Sequence, residues 1–247
     1  MGELAYMVRA DWAQRGTAMV PNSVVIRDWV GAPPYFLTVT DTAKFSRHGR
    51  GGDVEAADLL APDGVNRRVF KIADLAQILD QDKTLEQAII VLHPFKTQDL
   101  EILREVILRG KLGRLFVMIW SRTEVIKTWL DAHGALDLHT GLNATPPDAL
   151  MMEAARMMIN EEYNGLESGR GKDAVVQLVR AFQRHGYALD LDTWLRAYFA
   201  AGGTFRHAES ITKLITEMQK GVKLRVKDAY VDNVFELIRN RAAAPAH

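Results

Sequence analysis

Two nearly continuous apolar runs, AIIVLHP (Ala88–Pro94) and RLFVMIW (Arg114–Trp120), constrain this chain more than any other feature. Runs this short and this apolar suit strands buried on both faces, as in a parallel sheet covered by helices. Between them, TQDLEILREVILRGKLG puts Leu100, Leu103, Ile107 and Leu108 on one helical face, opens at the capping residue Thr97 and closes with Gly110 and Gly113. Strand, helix and strand in that order predict a right-handed crossover, with the two strands parallel and adjacent or nearly so.

The same grammar extends to both sides. YFLTVTD (Tyr35–Asp41) and RRVFKI (Arg67–Ile72) read as two further strands, and LDLHT (Leu136–Thr140) as a short fifth. After Trp120, Ser121 is placed to cap a helix through EVIKTWLDAHG, with Glu124 in the capping-box position. Residues 35–146 therefore predict an α/β domain with a Rossmann-like, mostly parallel sheet of about four to five strands. Residues 1–34 are harder to place, although VPNSVVIRDWVGAPP suits one edge strand ended by Pro33–Pro34. NATPP (Asn143–Pro147) is turn-rich, and the chain from 147 to 247 reads as all-α. Its helical stretches are ALMMEAARMMINEEY, KDAVVQLVRAFQRHG, LDTWLRAYFAAGG, HAESITKLITEMQKG and DAYVDNVFELIRNRA, with Gly186, Gly202 and Gly221 as stops. Met151, Met152, Met157 and Met158 recur at helical spacing, as core or adaptable packing surface.

Composition removes whole classes of function. With Cys 0 there is no thiolate zinc site, iron–sulfur cluster or cysteine nucleophile, and the chain suits a reducing cytoplasm. Charges at Glu3, Arg9, Asp11 and Arg15 interrupt any secretory h-region, and no apolar run approaches the length of a membrane span. Lys+Arg 31 against Asp+Glu 31 gives a formal net charge of +0, so a charged partner must be held by a local patch. No H-x-x-x-H or H-E-x-x-H grouping supports a metal site, the cofactor is unknown, and no G-x-S-x-G elbow supports an ordinary α/β-hydrolase.

In open parallel sheets, ligands sit beyond the carboxyl ends of the strands. That rule nominates Asp41 and His93 as an acid/base pair, with Ser121, Arg122 and His139 as ligand-binding groups at the following strand ends. Helix capping is the alternative role for Asp41 and Ser121. SRHGRGGDVEAADLL is a glycine-rich helix entry in which Arg47 and Arg50 can clamp phosphate, although Asp53 stands where an anion would dock. GLESGRGKDAV fails as a nucleotide P-loop, because Leu166 replaces the first glycine and Asp173 the magnesium-binding hydroxyl; Arg170 and Lys172 remain able to touch an anion.

Charge is lopsided between Arg196 and Lys227. Arg206, Lys213, Lys220, Lys223, Arg225 and Lys227 form the candidate nucleic-acid surface, on a helix–turn–helix outline whose second helix carries Arg206, Ser210 and Lys213. The expected function is a ligand- or nucleic-acid-binding protein, in which an anion-binding α/β domain joins a helical domain that contacts nucleic acid or protein. The alternatives are a nucleotide- or phosphoester-processing enzyme and an assembly or adaptor protein that contacts a partner or a second copy.

Overall fold

The computed structural model describes residues 2–14, 18–32, 35–45, 52–60, 69–81 and 84–243. The chain divides into two compact units, Met1–Ala144 and Thr145–His247. In chain order the first unit contains β1 (Glu3–Val8), α1 (Asp11–Gln14), α2 (Met19–Val30), β2 (Phe36–Val39), α3 (Gly52–Leu60), β3 (Val69–Lys71), α4 (Ala76–Asp80), β4 (Ile89–Leu92), α5 (Thr97–Leu108), β5 (Arg114–Ile119), α6 (Val125–Ala132), β6 (Leu136–Asp137) and β7 (Leu142–Asn143). It is an α/β fold on a 7-stranded sheet of order β3-β2-β4-β5-β1-β6-β7, parallel except for β7.

The predicted crossover is present: β4 and β5 pair in parallel from Ile89↔Leu115 to Leu92↔Met118, and α5 joins them. All four residues of β4, and the last five of both β1 and β5, are buried. The N-terminal segment departs from expectation. Its strand is LAYMV, which lies near the middle of the sheet against β5, while the stretch read as an edge strand forms α2.

Strand order fixes which helix covers which face. Right-handed connections from β1 to β2 and from β2 to β3 run toward one edge and put α2 and α3 on one face, where they touch. There Ala5, Met7, Leu37, Val39, Ile90, Leu92, Phe116 and Met118 pack against Ile26, Val30, Ala57 and Leu60. Connections leaving β4 and β5 run the other way, so α5 and α6 cover the opposite face. Tyr6, alternate to Ala5 and Met7, confirms this by donating its buried hydroxyl to Asp131 Oδ1 of α6 at 2.7 Å.

The second unit is helical: α7 (Ala149–Asn160), α8 (Gly169–Arg184), α9 (Leu191–Ala200), α10 (Phe205–Gln219) and α11 (Val234–Ala243). Its core centres on Phe182, which meets Tyr187, Trp194 and Phe235 edge-on at 4.9, 5.2 and 5.0 Å. Met151 and Met158 of α7 are fully buried. Among the described residues, no helix is long and apolar enough to cross a membrane.

Candidate functional site at the carboxyl edge of the sheet

Where neighbouring parallel strands send their outgoing chains to opposite faces, a crevice opens beyond their carboxyl ends. This sheet meets that condition between β3 and β2, between β2 and β4 and between β5 and β1, the last two flanking the inner β4–β5 pair. The four strand ends at those last two places bring Thr40, His93, Trp120 and Arg9 to one edge.

Three of them, Arg9, Trp120 and His93, form a row of flat groups with Phe95. The Arg9 guanidinium lies over the Trp120 ring with its carbon 4.2 Å from the centroid. Trp120 meets the His93 ring at 4.9 Å, and His93 meets Phe95 at 5.4 Å. Phe95 ends the row in solvent, 57% exposed, so one aromatic face is offered to an incoming planar molecule. His93 has φ 48, the one non-glycine residue with positive φ among those described. Its N–H still donates to the Met118 carbonyl at 3.0 Å, so pairing with β5 holds the backbone in this unfavoured turn just before Pro94.

Glu124 governs the turn behind Trp120. Its Oε1 accepts from Trp120 N–H at 3.0 Å and Ser121 N–H at 2.7 Å, and lies 3.9 Å from His93 Nε2. The acid thus fulfils the expected capping role toward Ser121, but α6 begins only at Val125, and the Ser121 hydroxyl accepts from Thr123 N–H at 3.3 Å instead. Arg9 reaches the first residue of α3: a Cβ at Gly52 would overlap its guanidinium. A guanidinium beside a helix N-terminus favours an anion, an effect moderated by Asp53 and Glu55 in that first turn. Four buried polar atoms at this edge lack a hydrogen-bond partner among the described residues: Arg9 Nη1, Thr40 Oγ1, Trp120 Nε1 and Glu124 Oε2.

The residues nominated from sequence divide by role. His93 is central to the row. Asp41 is exposed, and its Oδ1 accepts from Ala43 N–H at 2.9 Å, a local turn bond. Arg122 is engaged with buried Asp11 through Nε–Oδ1 at 2.6 Å, and that bond together with the Asp11 charge raises its pKa further. Ser121 Oγ pairs with Thr123 Oγ1 at 3.0 Å. His139 Nε2 lies 3.2 Å from the Val8 carbonyl, tying β6 to the end of β1. Arg47 and Arg50 lie outside the described residues. Arg9, Trp120, Phe95 and Glu124 as site groups escaped the sequence reading. The legible signals were Arg9 directly after the apolar LAYMV run and Trp120 at the end of the second apolar run.

In the helical unit, Arg170 and Lys172 share a cleft of about 610 Å³ with Arg225 and Lys227. Arg170 is bound to Glu161 at 2.9 Å. The helix-turn-helix outline corresponds to α9 and α10, but its second helix is not a basic face: Arg206 and Glu209 are exposed together, and Lys213 pairs with Glu167 at 3.1 Å. Lys220 and Lys223 are exposed beyond the end of α10. Compared with known proteins, the chain matches no family model, no curated protein and no solved structure.

Proposed function

We propose that the α/β unit is a binding module for a planar, anionic small molecule of the nucleotide class, held at the carboxyl edge of its sheet. The carrying observation is the row Arg9, Trp120, His93 and Phe95, which ends in a solvent-facing ring and begins with a guanidinium against a helix N-terminus. The exposed aromatic end suits a base, and the cationic end suits a phosphate. Absence of cysteine suits a cytoplasmic setting, where nucleotides abound.

The test is a thermal-shift and tryptophan-fluorescence titration with adenosine and guanosine mono-, di- and triphosphates. A ligand at one hundred times its Kd stabilises by about 2.7 kcal/mol, a rise of roughly 5–10 °C for a chain of this size. Arg9→Ala and Phe95→Ala should abolish that rise. No shift with any of the six nucleotides overturns the proposal.

A second function, nucleotide or phosphoester processing, is favoured by one further observation: the His93 imidazole stands beside Glu124, whose Oε2 is buried without a partner among the described residues. An imidazole and a free carboxylate oxygen at one edge can move a proton. Chemistry then shows as product accumulating during long incubation, lost in His93→Ala while binding persists. Nucleotide that binds and is recovered intact leaves the binding module alone standing.

A further inference from the structure

The helical unit carries a second charged feature, independent of the sheet edge. Residues 222–228 belong to no helix or strand, and from 223 to 227 exposure alternates: Lys223, Arg225 and Lys227 face solvent, while Leu224 and Val226 are half-buried. The segment is strapped to α8. Arg180 Nη2 donates to the Leu224 carbonyl at 2.8 Å, and Gln177 Oε1 accepts from Ala229 and Tyr230 N–H at 2.8 and 2.9 Å. Arg170 Nη2 donates to the Ala229 carbonyl at 3.2 Å. The three cations therefore stand on a fixed ridge, and Lys172 lines the same cleft from the first turn of α8.

None of Lys172, Lys223, Arg225 and Lys227 forms an ion pair among the described residues, although acids are close by. Glu167 is taken by Lys213 at 3.1 Å, Glu161 by Arg170 at 2.9 Å, and Asp228 accepts from Gln177 at 3.1 Å; Asp173 alone lines the cleft without such a partner. Two of the neighbouring acids are thus ion-paired elsewhere, and the four cations make no ion pair among the described residues.

We infer that this ridge and cleft bind the sugar–phosphate backbone of duplex nucleic acid without reading its sequence. Three exposed cations and the half-buried Lys172 are individually weak partners for isolated carboxylates. Against a polyanion of high linear charge density, each contact also releases a condensed counterion, and that gain belongs to nucleic acid rather than to an acidic peptide. No aromatic ring lines the cleft among the described residues, so the stacking platform used for single strands is missing.

The experiment is fluorescence anisotropy of the full chain with a labelled 20-base-pair duplex of mixed sequence, the single strand of equal length and labelled polyglutamate, from 50 to 200 mM salt. Four phosphate contacts predict a slope of log Kobs on log salt of about −3.6, hence about two orders of magnitude weaker binding across that range. Lys227→Gln should reduce the slope by about one. The triple variant Lys223→Gln, Arg225→Gln, Lys227→Gln should lose most duplex affinity while keeping wild-type circular dichroism. Any nucleotide-induced thermal shift at the sheet edge should survive in that variant, so the two sites stand or fall separately. Absent binding at 50 mM salt, equal binding by the folded triple variant, or a preference for the single strand or polyglutamate each overturns the assignment.

Discussion

The left-handed backbone at His93 makes a prediction that needs no ligand. At most positions alanine is more stable than glycine by about 0.4–1 kcal/mol, because glycine gains more freedom on unfolding. At φ 48 the order should reverse. A residue with a Cβ carries about 1–2 kcal/mol of strain in this region, which glycine avoids. The difference leaves His93→Gly more stable than His93→Ala by about 0.5–1 kcal/mol, or roughly 1–4 °C in thermal midpoint. Both variants lose the ring contacts to Trp120 and Phe95 equally, so the comparison isolates the backbone. Thermal unfolding of the full chain, followed by circular dichroism at fixed pH, reads it directly. If alanine proves equal or superior to glycine, the strain is not there, and His93 is not held in place by the β4–β5 pairing. If glycine wins, the strain is present and the β4–β5 pairing holds it.

Further predictions concern the two units separately. Asp131→Ala should destabilise the chain by about 3–5 kcal/mol, because it strands the Tyr6 hydroxyl and the Lys127 ammonium now held at 2.7 and 2.6 Å; chemical denaturation measures this. Burial pushes the His133 pKa below 6.5, partly offset by its bond to the Trp129 carbonyl. The unfolded chain then binds the proton first, so this group's stability is full above 6.5 and is lost as pH falls from there through the folded value. His133→Phe, which keeps the stack on Trp129, should flatten that acid limb in midpoints taken from pH 5 to 7.5. Gly171→Ala should cost about 1–3 kcal/mol, since its Cβ would run into the Gly165 carbonyl, a backbone group that cannot swing aside; a midpoint within 1 °C of wild type would refute the close approach. Gly52→Ala collides instead with the flexible end of Arg9, so it should leave the midpoint nearly unchanged while weakening nucleotide binding as Arg9→Ala does.

How much of the fold was legible follows from how each element buries its side chains. β4 and β5 are covered on both faces, which leaves a continuous apolar run that composition alone reveals. α2 hides itself. Its buried face, Met19, Asn22, Ser23, Ile26 and Val30, includes two polar residues, while Val20, Val24 and Val25 are exposed, a partial inversion of the amphipathic pattern. Local bonds make that inversion tolerable: the Asn22 amide donates to the Ala18 carbonyl at 2.8 Å and Ser23 Oγ to the Val20 carbonyl at 2.7 Å. A β-branched stretch with no helical stripe reads as a strand, and with that misreading β1 lost its place as an inner strand. β6 falls at the start of the stretch read as a short fifth strand, whereas β7, two residues long, is too short for any periodic signal.

The candidate site was less legible than the fold, for a reason rooted in topology. His93 could be nominated because it follows a strand that advertises itself, but the groups around it come from strands placed beside it only by the order β2-β4-β5-β1. Nothing in local sequence encodes that order, and without it Arg9 is one more surface cation and Glu124 one more cap. The energetic mark of the site is equally non-local. A buried polar atom left unpaired costs about 1–3 kcal/mol, and Arg9 Nη1, Thr40 Oγ1, Trp120 Nε1 and Glu124 Oε2 gather at one sheet edge. Together such a burden is comparable to the whole stability of a domain, so among the described residues these four atoms mark a place where water or a ligand's polar groups would be stabilising. Two of these atoms donate, one accepts, and the hydroxyl does either, a mixed set better suited to a base and its phosphate than to a purely apolar guest.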